Sequence, residues 1–211
     1  MRRSRLAFVL LVLAAPAPAE EGKSWKEGPY GPTLERIVPP GFEPKQLPEP
    51  KSEGARLTLR YCVQCHYLAN PAMHDAERWA AVVRRMVPRM EGKGNLGKVM
   101  SELMEGVEAP GAAETAAIVA YLQKHGQRAL DPAKVPEVNA PAAEPFRLAC
   151  GQCHVLPDPR RHSAKEWPAV VARMQKHMEW TNRVVGSKPV PGEPQLRVEE
   201  INAFLARHTR R

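Results

Sequence analysis

Two short segments constrain this chain more than anything else in it. The stretch YCVQCHYLANP (61–71) and the stretch ACGQCHVLPDP (149–159) hold all four cysteines, and each cysteine pair is followed at once by histidine. The residues are Cys62, Cys65 and His66 in the first, and Cys150, Cys153 and His154 in the second. A shift of 88 positions superposes them, and the register runs on without a gap. It carries His74 to His162, Trp79 to Trp167, Val83 to Val171, Arg85 to Arg173, Met86 to Met174 and Met90 to Met178. A match of this length is an internal repeat. IVAYLQKH (118–125) also matches INAFLARH (201–208), once the second copy is allowed five fewer residues. Each copy therefore reads as a cysteine–histidine motif, a helix bearing Trp and Met, a variable loop and a closing helix.

Apolar residues recur at helical spacing and nowhere alternate convincingly, so the fold class expected is all-α: two tandem helical domains. A length of 211 residues suits that. Residues 1–19 read as a secretory signal peptide, with Arg2, Arg3 and Arg5, an apolar run from Leu6 to Ala15, and Ala17-Pro18-Ala19 as the cleavage site. The run falls short of the ~20 residues that span a bilayer. The mature chain is thus expected in the periplasm, starting near Glu20, with no stable membrane insertion after cleavage. Residues 20–50 form a Pro-rich N-terminal arm, extended over the surface or pinned by Tyr30, Ile37 and Phe42. The first domain is placed at 51–128 and the second at 142–211. Between them, 129–141 lies in a Pro/Ala-rich stretch and reads as a linker.

Cysteines three apart on a helical turn share a face. Two thiols so placed can form thioethers with the two vinyl groups on one haem edge, and the next histidine can bind iron from the proximal side. C-x-x-C-H is the attachment pattern of c-type haem, with histidine the usual proximal ligand. The competing readings are structural zinc, a dithiol redox site and paired disulfides. Zinc leaves both histidines without a role. A redox dithiol needs a βαβ setting that is absent from the pattern. A bridge inside C-x-x-C is strained. The spacing therefore favours two covalently bound haem c groups, on Cys62 and Cys65 with His66, and on Cys150 and Cys153 with His154.

On these motifs, on the W-x-x-V-V-x-R-M helix and on the Ile-x-Ala-(Tyr/Phe)-Leu closing helix, the chain resembles bacterial periplasmic dihaem cytochromes c, which fuse two small cytochrome c domains. The resemblance covers roughly 52–125 and 140–208. It implies cytochrome c-like helical domains, low-spin His/Met-ligated iron and electron transfer between partner redox proteins. One departure concerns the methionine, which in small cytochromes of this kind lies on a loop before the closing helix. The second copy has no methionine after Met178. Trp79, Val83, Met86 and Met90 form one stripe of a helix, as do Trp167, Val171, Met174 and Met178. Met86 and Met174 are the favoured distal ligands and Met90 and Met178 the alternates. Met100 and Met104 lack counterparts and read as core or loop residues.

His74 and His162 read as loop or capping residues near a helix start, with Asp75 or Ser163 as N-cap; bis-histidine ligation is the alternative use. His125 and His208 suit the ends of closing helices as cations, and His177 the surface. Trp79 and Trp167 are candidates to donate an indole N–H to a haem propionate, or else to pack in the core. Arg85 and Arg173 are candidates to pair with propionates, or else are solvated.

Losing the leader takes the formal net charge of +8 down by three, and four propionates would bring it to about +1, so no nucleic-acid partner is expected. With both axial positions filled, such iron exchanges electrons and has no catalytic residue, so the chain reads as a carrier and not an enzyme. The alternatives are a dihaem peroxidase, or the electron-accepting subunit of a periplasmic dehydrogenase. Docking would then use the arm and a basic patch of Arg84, Arg85, Arg89, Lys93 and Lys98.

Overall fold

The computed structural model describes residues 25–94, 97–186 and 196–209; the predicted signal peptide lies outside them. Among the described residues there are helices and two isolated bridges but no strand, so the fold is all-α. The α-helices are α1 (Gly31–Ile37), α2 (Glu53–Cys62), α3 (Ala76–Met90), α4 (Gly97–Leu103), α5 (Ala112–His125), α6 (Glu144–Cys150), α7 (Trp167–Val185) and α8 (Val198–Arg207). No helix among the described residues is long and apolar enough to cross a membrane.

Two separate apolar cores form, and their members correspond. The first holds Leu47, Ala55, Tyr61, Leu68, Trp79, Val83, Ile118, Tyr121 and Leu122. The second holds Val135, Val138, Ala143, Phe146, Trp167, Val171, Ile201, Phe204 and Leu205. Ala55 and Ala143, Trp79 and Trp167, and Val83 and Val171 are 88 apart. Ile118, Tyr121 and Leu122 take the places of Ile201, Phe204 and Leu205. In the first half α2 starts where the Ser52 hydroxyl accepts from the Ala55 N–H at 3.3 Å. It then presses against α5 at Gly54, where an added Cβ would lie 2.3 Å from Tyr121 Cβ. A glycine is needed there because the two helices approach too closely for any side chain.

The stretch 129–141 is not a free linker. Val135 and Val138 are buried in the second core, and Arg147 of α6 donates to the carbonyls of Val138 and Ala140. The segment is the second copy of the end of the arm. Short 3-10 turns at Pro44–Gln46 and Pro132–Lys134 match in register. The Phe42 N–H donates to Leu68 O at 2.9 Å, and the Leu130 N–H to Leu156 O at 2.7 Å. Residues PKQLPE (44–49) and PAKVPE (132–137) are the sequence trace of this equivalence. Prolines made both stretches look like spacers, yet a 3-10 turn uses proline readily at its first position. The arm is pinned, as the second expectation held, by Phe42 on the core and by the Tyr30 hydroxyl on the Glu102 carboxylate. Ile37 does not take part and is exposed. Trp25 adds an edge contact to Tyr67, ring centroids 5.1 Å apart.

The long helices differ at both ends. At α3 the Asp75 carboxylate accepts from the Arg78 N–H at 2.9 Å. Ser163 instead begins a turn, its N–H and hydroxyl both donating to Glu166 at 2.8 Å, and α7 starts only at Trp167. Pro88 removes a backbone donor just before α3 ends. Lys176 stands at that place in the second copy, and α7 continues to a left-handed Gly186 with φ 72°.

The tight crossing at Gly54 is expected to make Gly54→Val cost about 1–3 kcal/mol in urea denaturation, as overpacking does. The corresponding Ala142 is exposed, so Ala142→Val should leave the midpoint unchanged. Equal effects at the two positions would contradict the crossing geometry.

Candidate functional site

Each motif straddles a helix end. Cys62 is the last residue of α2 and Cys150 the last of α6. Cys65 and Cys153 fall in the turns that follow, so only the first thiol of each pair is on a helix. All four thiols are free. Burial pushes the Cys62 thiol up to about 11, with Cys65 nearby adding to it. Burial likewise pushes Cys150 up to about 12 and raises Cys65. Such thiols stay protonated at neutral pH, whereas thiol exchange and zinc binding both require thiolate. A neutral thioether suits these surroundings. Among the described residues no three His, Cys, Asp or Glu side chains converge into a group able to hold a metal ion.

The two histidines are held alike. His66 Nδ1 lies 2.6 Å from the carbonyl oxygen of Tyr67, and His154 Nδ1 lies 2.8 Å from that of Val155. A carbonyl can only accept, so this contact favours the proton on Nδ1 and leaves the Nε2 lone pair free. A neutral imidazole presented in this way is ready to ligate metal, its orientation fixed by the outer hydrogen bond.

Along each Trp–Met stripe the first two residues are buried and the last two are not. Trp79, Val83, Trp167 and Val171 belong to the cores, whereas Met86, Met90, Met174 and Met178 are half-buried. Met90 packs on the first core, as does Cys62. Met86 Sδ lies 4.0 Å from an Arg89 guanidinium nitrogen. A third sulfur comes from Met104, which the sequence reads as a core or loop residue: its Sδ, just beyond α4, is 4.0 Å from Cys65 Sγ. The repeat hides it, because the second copy has no equivalent. Its place between the motif and the closing helix was the available signal.

The indoles do not offer a free donor. Trp79 Nε1–H donates to Pro71 O at 2.7 Å and Trp167 Nε1–H to Pro159 O at 2.8 Å, both rings being buried. Core packing is therefore the role the structure shows, in place of a propionate contact. His74 and His162 stand edge-on to these rings at 4.9 and 4.8 Å. Arg85 is exposed. Arg173 is half-buried, its Nε is enclosed without a hydrogen-bond partner, and burial pushes its pKa down. Trp180 Nε1, farther along α7, is enclosed in the same way. His177 is half-buried and not on the open surface, with its pKa lowered by burial and by Arg173. In the basic patch all five residues are exposed, with Lys93 on Glu91 at 2.9 Å and Lys98 near Glu102 at 3.9 Å.

His125 and His208 are placed alike, against Tyr121 at 4.7 Å and Phe204 at 4.6 Å, and near Glu49 at 3.6 Å and Glu137 at 3.2 Å. Burial lowers the pKa of His125 despite Glu49, so it is a neutral packed ring at pH 7 and not a helix-end cation. One further residue escaped the sequence reading. Gln127 is buried and places its side-chain nitrogen 2.9 Å from His154 Nδ1.

The chain matches no family model, no curated protein and no solved structure.

His74 and His125 both have folded-state pKa values lowered chiefly by burial, from an ordinary 6.5. Each binds fewer protons folded than unfolded. Their contribution is full above about pH 6.5 and is lost as pH falls through their lower folded values. The melting temperature should therefore drop between pH 7 and 5, and His125→Phe should reduce that slope. A wild-type melting temperature independent of pH over this range would contradict the assignment.

Proposed function

We propose that this chain is a dihaem c-type cytochrome that carries electrons in the periplasm between partner redox proteins. The observation that carries the reading is the duplicated C-x-x-C-H motif with the imidazole Nδ1 at the next carbonyl in both copies. Cys62 and Cys65 would tether one haem c, and Cys150 and Cys153 the other. His66 and His154 would present Nε2 to iron. The half-buried methionines lie where the polypeptide leaves its own stripe uncovered, with Met86 and Met174 the favoured distal ligands and Met90 and Met178 the alternates. Met104 joins them in the first half. Arg173 would meet a propionate. Bound haem supplies reversible one-electron chemistry, and a thioether ligand raises its potential relative to bis-histidine ligation. The protein's part is to orient the imidazoles and to keep water from the ring.

A second reading, a dihaem peroxidase, draws on the inequality of the halves: Met104 and Gln127 each occur in one setting only. It requires one iron with an open sixth site.

Expression in a host competent for cytochrome maturation should yield two haems per chain by mass and pyridine haemochrome. Removing Cys62 and Cys65 together should leave one. Low-spin ferric spectra with a sulfur charge-transfer band support the carrier; high-spin iron with peroxide turnover supports the enzyme. Met86→Ala and Met174→Ala should each abolish one haem's sulfur band, with Met90→Ala and Met178→Ala sparing it. Loss in Met104→Ala in place of Met86→Ala would reassign the first ligand. A colourless product would defeat both readings.

A further inference from the structure

The two proximal histidines differ in one contact. The Gln127 side chain donates from Nε2 to Val155 O at 2.5 Å, while the same nitrogen lies 2.9 Å from His154 Nδ1. With Nε2 turned to Val155 O the amide avoids setting two oxygens against each other, and the Gln127 and His154 donors stand side by side at 2.9 Å, both directed at that one carbonyl. Counting back 88 positions from Gln127 reaches Pro39, which has no side-chain amide. The carbonyl of Tyr67 therefore has no matching amide to serve.

The backbone of Gln127 is anchored from both halves. Its N–H donates to His74 O at 2.8 Å. Gly126 runs so close to α3 that an added Cβ would lie 2.9 Å from the Ala76 nitrogen. From the second half, Arg161 donates to the carbonyls of Gly126 at 2.9 Å and His125 at 3.1 Å. A buried amide held by so many bonds has little freedom to turn away from His154.

We propose that Gln127 is a positioning residue through which the first half tunes the proximal imidazole of the second. The inference rests on the haem reading above. With Nε2 committed to iron, His154 Nδ1 keeps its proton and donates to Val155 O. That oxygen then also accepts from Gln127. An acceptor shared between two donors binds each less strongly, and only Val155 O, not its counterpart at His66, is shared with a side-chain amide. A weaker outer hydrogen bond leaves the imidazole less basic and a poorer electron donor. A poorer donor favours reduced iron, since hydrogen bonding around the axial ligand is one lever on potential. Gln127 therefore raises the potential of the second haem and leaves the first untouched.

The test is potentiometry of the full dihaem chain, followed in the visible spectrum. Gln127→Met, which keeps length without an amide, should lower one of the two redox steps and leave the other in place. Gln127→Glu should lower the same step further, because a carboxylate accepts from Nδ1–H. In the reduced protein labelled at histidine, the Nδ1–H resonance of His154 should move and that of His66 should not. If Gln127→Met does not fold, Gln127→Glu decides alone. Loaded protein in which neither step moves, or both move together, overturns this inference only. A chain that binds no haem overturns the haem reading with it.

Discussion

In each half a buried indole N–H donates to the carbonyl of a proline eight residues earlier, Trp79 to Pro71 and Trp167 to Pro159. This one bond joins the loop leaving the cysteine–histidine motif to the start of the helix that bears the methionines. It spans a segment whose 3-10 turn is itself closed by an Asn70 or Asp158 side chain accepting from the second following N–H. Breaking it would strand a carbonyl in the core, which costs about 1–3 kcal/mol. The separation between motif and methionine stripe thus depends on a rigid corner and not on a flexible loop.

That corner accounts for the uneven burial of the stripes. The Trp and Val end closes against the core, while the Met end remains half-covered. Cys62 and Met90 both pack on the first core and Cys150 on the second, and the Nε of Arg173 is enclosed without a hydrogen-bond partner. Each stripe thus leaves its sulfur end less covered than its aromatic end.

Much of the helical order was legible. The 3.6-residue spacing located α3, α5, α7 and α8, and the repeat paired Trp79 with Trp167, Val83 with Val171 and the closing helices before any packing was known. What stayed hidden had specific causes. Residues 129–141 looked like a spacer because proline signals a break in an α-helix, whereas a 3-10 turn accepts it at its first position, as at Pro132, Pro136 and Pro141. The PKQLPE and PAKVPE match was readable and would have joined them to the modules. The indole bonds could not be read, because a backbone carbonyl has no sequence signature. Nor could Gln127, because a search by repeat finds only what is shared; the same search set Met104 aside, although its place before the closing helix marked it.

Those unshared residues show what duplication leaves open. Core burial persists while its side chains change: Tyr121 becomes Phe204 and Leu47 becomes Val135, and Phe146 stands for Thr58 while Ala149 stands for Tyr61, so that bulk lost at one position is regained at another. Change is also found where one copy meets the other or meets solvent. Pro88 shortens α3 where Lys176 lets α7 run on, and Pro39 gives way to Gln127 where the tail of the first half reaches the second. The Gln127 contact therefore makes the surroundings of the two motifs inequivalent, even where the motif residues are identical.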